Sequence, residues 1–223
     1  MICYIPARGS SKRIKSKNIK KLFNKPILQR VIENIQKNKN IKSIFVSTDS
    51  VKIKKLADKM GVETLKLRKK KLGNDKTNFN DLLIHDLPRF CKYANDYKVL
   101  FVLPTSVLLT NTILNKAIKK FNKEKPNCLM SCFQNNVYPS FVKKKQTWKP
   151  IFPKQIKKNT QDNPIVMTDA GSFYILDVKK IIPYKSIKAV PKLLMFELPF
   201  LNYCDVDTLA DWNILKFKFQ NKC

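Results

Sequence analysis

Between the first apolar run of the chain and its first helical repeat lies Ala7-Arg8-Gly9-Ser10-Ser11-Lys12-Arg13, followed closely by Lys17 and Asn18. A glycine among small residues lets backbone N–H groups come close to an anion, and the neighbouring cations add charge at the same place. This is not a Walker loop, because no G-x-x-x-x-G-K-[ST] string is present. A second chemical pair stands near the far end, where Asp205 and Asp207 follow the apolar run 201–204. If that run is a strand, its period of two turns both carboxylates the same way, toward one hard cation. Helix capping by Asp207 or Thr208 is the competing reading, and it leaves Asp205 unexplained. A third group is Asp169 and Gly171, set just before Phe173 and Tyr174; aromatic residues suit strand cores, so at least one of that pair is expected to be core.

Composition narrows the classes these groups can serve. Lysine and arginine outnumber aspartate and glutamate 45 to 16, for a net charge of +29. The excess is mainly lysine spread along the whole chain, with arginine only at positions 8, 13, 30, 68 and 89. Nucleic-acid surfaces combine arginine forks with interleaved aromatics on one face, so the even lysine coat argues against nucleic acid as the main partner. Cys3, Cys91, Cys128, Cys132, Cys204 and Cys223 have no C-x-x-C spacing and lie mostly in apolar runs, which suits free thiols in a reducing, cytoplasmic compartment. His85 is the one histidine, which excludes a multi-histidine metal site. No run reaches the roughly 18 consecutive apolar residues of a membrane span, and the N-terminus passes directly into basic residues, so neither an anchor nor a secretion signal is expected.

The elements that must position these groups follow from periodicity. Residues 1–6 read as a strand, 7–18 as a polar loop, and Ile27, Leu28, Val31, Ile32 and Ile35 as one face of a helix entered at Pro26. A strand over 41–47 leads to a basic helix over 50–60 closed by Gly61, and 62–67 reads as a returning strand. Helix 80–93, with Pro88 limiting its continuity, precedes strand 97–103; Thr110 caps a helix to about 123, and strand 128–133 follows. Strands are also expected over 172–176, 193–198 and 201–204, before a last helix opened by Thr208 with Asp211 three residues on. Such alternation predicts an open, mostly parallel α/β sheet with helices on both faces, in one domain over 1–223. The stretch 135–163, rich in Lys, Asn and Gln with isolated Trp148, Ile151 and Phe152, breaks the rhythm as an arm that either closes on the site or packs against a second subunit. In such sheets ligands bind beyond the carboxyl ends of the strands, which is where the groups above fall.

Five strings in register carry a resemblance. Ile5-Pro6-Ala7-Arg8-Gly9-Ser10-Ser11-Lys12-Arg13-Ile14 with Lys17-Asn18, then Val46-Ser47-Thr48-Asp49, Leu103-Pro104-Thr105-Ser106, Asp169-Ala170-Gly171-Ser172-Phe173-Tyr174, and Asp205-Val206-Asp207-Thr208-Leu209-Ala210-Asp211-Trp212 together resemble the acylneuraminate cytidylyltransferase (CMP-sialic acid synthetase) family, from residue 1 to about 217. The resemblance implies a nucleotide-diphospho-sugar transferase-like fold and transfer of CMP from CTP to the anomeric hydroxyl of a nine-carbon sugar acid, with pyrophosphate leaving. It implies nucleotide contacts from Ala7, Arg8, Gly9, Ser10, Lys12, Arg13, Lys17, Asn18 and Thr77, of which Arg8, Lys12 and Lys17 act in catalysis. Sugar contacts fall to Leu103, Thr105, Ser106, Asp169, Gly171, Phe173 and Tyr174, and Mg²⁺ to Asp205 and Asp207. A homodimer using the arm at 135–165 is implied as well.

Departures from the family pattern bear on the acceptor. Leu103 stands where several relatives carry glutamine, and Val107 where they carry proline. The Asp-Ala-Gly form of the sugar segment, in place of Asn-Gly, resembles the branch acting on pseudaminic acid more than the branch acting on N-acetylneuraminate. Pseudaminic, legionaminic and N-acetylneuraminic acids stay open, as do 3-deoxy-manno-octulosonic acid or another sugar and, from a different class, a non-catalytic basic binding protein on the same fold. The general base is open between a nearby carboxylate and a water on the metal.

Overall fold

The computed structural model describes residues 1–11, 13–69, 72 and 78–221. Its strands are β1 (Ile2–Pro6), β2 (Lys21–Leu22), β3 (Lys25–Pro26), β4 (Ser43–Ser47), β5 (Lys98–Val102), β6 (Cys128–Gln134), β7 (Phe141–Lys144), β8 (Thr147–Pro150), β9 (Met167–Asp177) and β10 (Leu193–Glu197). The helices are α1 (Ile27–Gln36), α2 (Val51–Lys59), α3 (Phe79–His85), α4 (Leu87–Ala94), α5 (Asn111–Glu124), α6 (Val178–Ile181) and α7 (Leu209–Gln220).

Six strands form the central sheet in the order β10-β6-β9-β5-β1-β4. β1 pairs in parallel with β4 and β5, and β10 with β6. The sheet is therefore mostly parallel, as the alternation predicts, with β9 antiparallel to both β5 and β6. The reason lies in the connection. No α-helix intervenes between β6 and β9 among the described residues, and without a crossover helix the chain returns beside β6 in the opposite direction.

Side chains alternate across the sheet and build two cores. Cys3, Ile5, Leu100, Val102, Phe173 and Ile175 pack on one face with Ile27, Val31 and Ile32 of α1, Leu114 and Ile118 of α5 and Trp212 of α7. Ile2, Tyr4, Val99, Phe101, Tyr174 and Leu176 pack on the other with Leu83, Leu87 and Phe90 of α3 and α4. Helix ends follow local chemistry. Thr110 Oγ1 accepts from the Ile113 N–H at 3.2 Å, and Thr208 and Asp211 form a reciprocal capping box at the start of α7. The helix expected over 80–93 is divided at Asp86, just ahead of Pro88, into α3 and α4.

Two expected strands do not form. Residues 62–67 make one isolated parallel bridge, Phe45 with Glu63, and the next backbone anchor is the Arg68 N–H on the Thr48 carbonyl at 2.8 Å. The segment is extended, but its polar residues give it no second buried face. Residues 201–204 likewise leave the sheet; a short 3-10 turn over Phe200–Asn202 leads into an irregular segment that carries Asp205 and Asp207. The arm contains the antiparallel pair β7–β8, with Phe141, Trp148 and Ile151 exposed. Cys3, Cys91, Cys128 and Cys132 are buried free thiols, and no helix among the described residues is long and apolar enough to cross a membrane.

Candidate active site

A cavity of about 500 Å³ opens beyond the carboxyl ends of β1 and β5, within the size range of small-molecule sites. Pro6, Arg8, Ser11, Lys17 and Asn18 come to it from the loop after β1, and Leu103, Pro104 and Thr105 from the turn after β5. Asp169, Gly171 and Tyr174 come from β9, and Asp205 and Asp207 from the segment before α7. Four of the five strings singled out in the sequence therefore meet at one opening, although they are up to some two hundred residues apart in the chain.

The loop after β1 is held by its own backbone. The Ala7 N–H donates to Ser47 at 2.8 Å, the Gly9 N–H to Asp49 Oδ1 at 2.8 Å, and Asn18 Nδ2 to the Arg8 carbonyl at 2.9 Å. A Cβ on Gly9 would lie 2.7 Å from Ser50 Cβ, so glycine is required for this approach. The second string, Val46-Ser47-Thr48-Asp49, thus has a different part from the others. Ser47 and Asp49 pin the loop, Thr48 Oγ1 accepts from the Ser50 N–H, and none of the three lines the cavity.

Opposite the loop, Arg13 Nη2 lies 2.9 Å and Lys17 Nζ 3.5 Å from Asp207 Oδ1, and Lys17 also donates to the Val206 carbonyl. Burial, and then the charge of Asp207, hold the Asp205 carboxyl above the usual carboxylate range. The two acids turn the same way, as the spacing predicts, although the segment joins no sheet: buried Val206 between them turns inward while its neighbours line the cavity. Two carboxylates beside a phosphate-sized basic loop are a hard-oxygen donor set suited to Mg²⁺, which is commonly held by one or two carboxylates together with substrate phosphates. The raised Asp205 and the crowding with Asp207 fit an added cation there. No cluster of three or more His, Cys, Asp or Glu suited to a metal occurs among the described residues.

On β9, Asp169 Oδ1 accepts from the Gly171 N–H at 3.0 Å, while Oδ2 accepts from Tyr174 Oη at 2.6 Å and pairs with Lys188 Nζ at 2.5 Å. Burial and the adjacent Asp169 charge push the Tyr174 phenol far above its ordinary range, so it stays a donor.

Several expected contacts are not at the cavity. Phe173 is fully buried in the sheet core, because the period of two that turns Tyr174 into the wall turns Phe173 away. Ser106 is buried, its Oγ donating to the Ser172 carbonyl at 2.7 Å, and so ties the turn after β5 to β9 instead of facing a ligand. Ala7 is core, and Gly9, Ser10 and Arg13 belong to the loop without lining the cavity as it stands. Lys12 and Thr77 lie outside the described residues.

Five described cavity residues escaped the sequence reading, Leu72, Leu82 and three with chemistry to offer. Phe79 and Tyr174 form an aromatic wall with ring centroids 6.0 Å apart, and Lys188 reaches in from the loop before β10. Arg68 is the third. It is 5% exposed, and its Nε and Nη2 are buried without a hydrogen-bond partner among the described residues. A buried guanidinium with open donors beside a cavity is costly unless a ligand meets it.

With this geometry in place, similarity to known proteins resolves the class. The sequence model of the family described as Cytidylyltransferase matches residues 2–190, and the chain belongs to that family. It is 28% identical to a pseudaminic acid cytidylyltransferase of Campylobacter jejuni subsp. jejuni serotype O:2, over 98% of this chain and 96% of that one. It is 27% identical to a CMP-N,N'-diacetyllegionaminic acid synthase of Legionella pneumophila subsp. pneumophila, over 95% of this chain and 93% of that one. The fold is that of a CMP:2-keto-3-deoxy-manno-octonic acid synthetase solved with CTP, at a TM-score of 0.71 and 13% identity over 100% of this chain and 99% of that one.

Proposed function

We propose that this cytidylyltransferase transfers CMP from CTP to the anomeric hydroxyl of a nine-carbon sialic-acid-like sugar acid, pseudaminic acid foremost, and releases pyrophosphate. The observation that carries the reading is the single cavity joining Arg8 and Lys17 to Asp205 and Asp207 on one side and to Asp169 on the other. Relatives named for pseudaminic and legionaminic acids, alike over nearly the whole chain, support the acceptor class.

In the reaction the sugar hydroxyl loses its proton, its oxygen bonds to the α-phosphorus, and the bond from that phosphorus to the pyrophosphate oxygen breaks. Arg8, Lys12 and Lys17 hold the triphosphate and balance the charge that grows on the leaving pyrophosphate. Asn18 fixes the loop through the Arg8 carbonyl, and Arg68 offers its open donors to the nucleotide. Asp205 and Asp207 would hold Mg²⁺, which when bound would neutralise phosphate charge and make the α-phosphorus more electrophilic. Thr105, Asp169, Gly171 and Tyr174 shape the sugar end, and alignment of hydroxyl and phosphorus supplies much of the rate.

Product analysis tests this reading. ³¹P spectra of CTP, Mg²⁺ and pseudaminic acid with enzyme are expected to show one phosphodiester product and pyrophosphate in equal amounts. Release of orthophosphate or CDP instead would refute it.

The working unit we propose is a cytoplasmic homodimer of one-domain subunits, with the exposed Phe141, Trp148 and Ile151 of the arm covered by the second copy. Sedimentation at micromolar concentration is expected to give twice the 26.0 kDa chain mass, and a monomer would contradict it.

A further inference from the structure

Lys188 lies in none of the strings that mark the nucleotide or metal groups, yet it is held as firmly as they are. Ser186 Oγ accepts from the Lys188 N–H at 3.2 Å and the Ala189 N–H at 2.9 Å. The intervening Ile187 is buried in the sheet core, and its N–H donates to Asn80 Oδ1 at 3.1 Å. This built loop aims a lysine at Asp169, whose two oxygens are already engaged by the Gly171 N–H and the Tyr174 hydroxyl. Asp169 is thus a fixed carboxylate that orients Lys188 Nζ at 2.5 Å, while the lysine side chain stays 52% exposed with donors left for a ligand.

Sheet order shows which ligand. The described cations lining the cavity are Arg8, Lys17, Arg68 and Lys188. Arg68 is anchored to Thr48 at the end of β4, three strands from β9, a span of roughly 14 Å at ordinary strand spacing. Arg8 and Lys17 belong to the loop after β1, and Lys17 is turned to Val206 and Asp207. On the β5 side Leu103 offers no donor. Of the four cations, Lys188 is the one ion-paired with a β9 carboxylate, so a small acid seated against β9 beside Asp169 lies next to Lys188.

We propose that Lys188, oriented by Asp169 and Tyr174, receives the carboxylate of the acceptor and makes the enzyme select sugar acids over neutral sugars. This rests on the cytidylyltransferase reading with a sugar-acid acceptor. A charge-assisted hydrogen bond of this kind commonly changes binding by about 10- to 100-fold.

The test is steady-state kinetics of wild type, Lys188→Met and Lys188→Arg, varying CTP and acceptor separately, with pseudaminic acid and its methyl ester as acceptors. Lys188→Met is expected to raise the acceptor KM by roughly 10-fold or more and leave the CTP KM within about two-fold, with Lys188→Arg closer to wild type. Wild type is expected to favour the acid over the ester, and Lys188→Met to lose that preference. An unchanged acceptor KM and acid preference in Lys188→Met, beside an active wild type, overturns the role of Lys188 while the reaction stands. No turnover of any sugar acid by wild type overturns the reading and this inference together.

Discussion

A Cβ placed on Gly171 would lie 3.3 Å from Asp205 Cγ, and Gly171 itself has φ +56°. The strand that carries Asp169, which we assign to the sugar, thus runs directly against Asp205, which we assign to the metal, and a side chain here would be strained in the backbone and tight in the gap. Gly171 is what brings these two ends of the site together.

Gly171→Ala is expected to destabilise the protein by about 1–2 kcal/mol, from the left-handed backbone alone, and to lower kcat further by displacing Asp205. Urea denaturation and initial rates check this. A variant of wild-type stability and rate would show that the contact is slack.

Arg68 yields a prediction of opposite sign. Its Nε and Nη2 lack partners among the described residues in a buried setting, so Arg68→Met is expected to leave unfolding stability equal or higher while CTP binding weakens by about 10-fold or more. Calorimetry with CTP, together with thermal melts, separates the two effects. Weaker folding with unchanged CTP affinity would make Arg68 a structural residue.

Much of this site could be read before any coordinates, because the chemistry sits at strand ends and strand periodicity is local. The loop after β1, the turn after β5 and the Asp169–Gly171 segment were found from the sequence; Arg68 and Lys188 were not. Both stand in lysine-rich stretches, where one more cation carries no signal, and only the closure of the sheet brings them to the cavity. The antiparallel course of β9 was hidden too, since its apolar pattern would suit either direction. Hydrophobicity misled at 201–204, where Leu201 is exposed and Tyr203 stacks on Phe133 without joining the sheet, whereas at Phe173 it was the resemblance that pointed to the sugar while the strand pattern allowed a core residue.

Lys218 of α7 donates to the Phe200 carbonyl at 2.6 Å and the Tyr203 carbonyl at 3.0 Å, which fixes the segment leading to Asp205. Lys218→Met leaves both carbonyls unpaired and is expected to cost about 1–3 kcal/mol, with a fall in kcat larger than any change in the CTP KM. Equal loss in both parameters would place Lys218 in binding.

Asp205 sets a pH dependence. Its folded pKa is raised, so the folded protein holds this proton more tightly than the unfolded chain, and stability falls as pH rises from the ordinary aspartate value through the folded one. Asp205→Asn removes that titration. With divalent cations chelated, it is expected to be the more stable form at pH 7, by less than about 1 kcal/mol because the group remains partly open to water. The advantage is expected to fade as pH drops through about 4 and to vanish near about pH 3, where both states are protonated. Urea midpoints at both pH values check this, and a wild type more stable at pH 7 would contradict it.

The most direct measurement is pyrophosphate release from CTP and Mg²⁺ across pseudaminic, legionaminic, N-acetylneuraminic and 3-deoxy-manno-octulosonic acids, with Asp207→Asn as control. Release is expected with a nine-carbon acid, pseudaminic acid giving the highest kcat/KM, and a loss of at least about 100-fold in the control. Turnover confined to the eight-carbon acid, or a control as active as wild type, would contradict the proposed function.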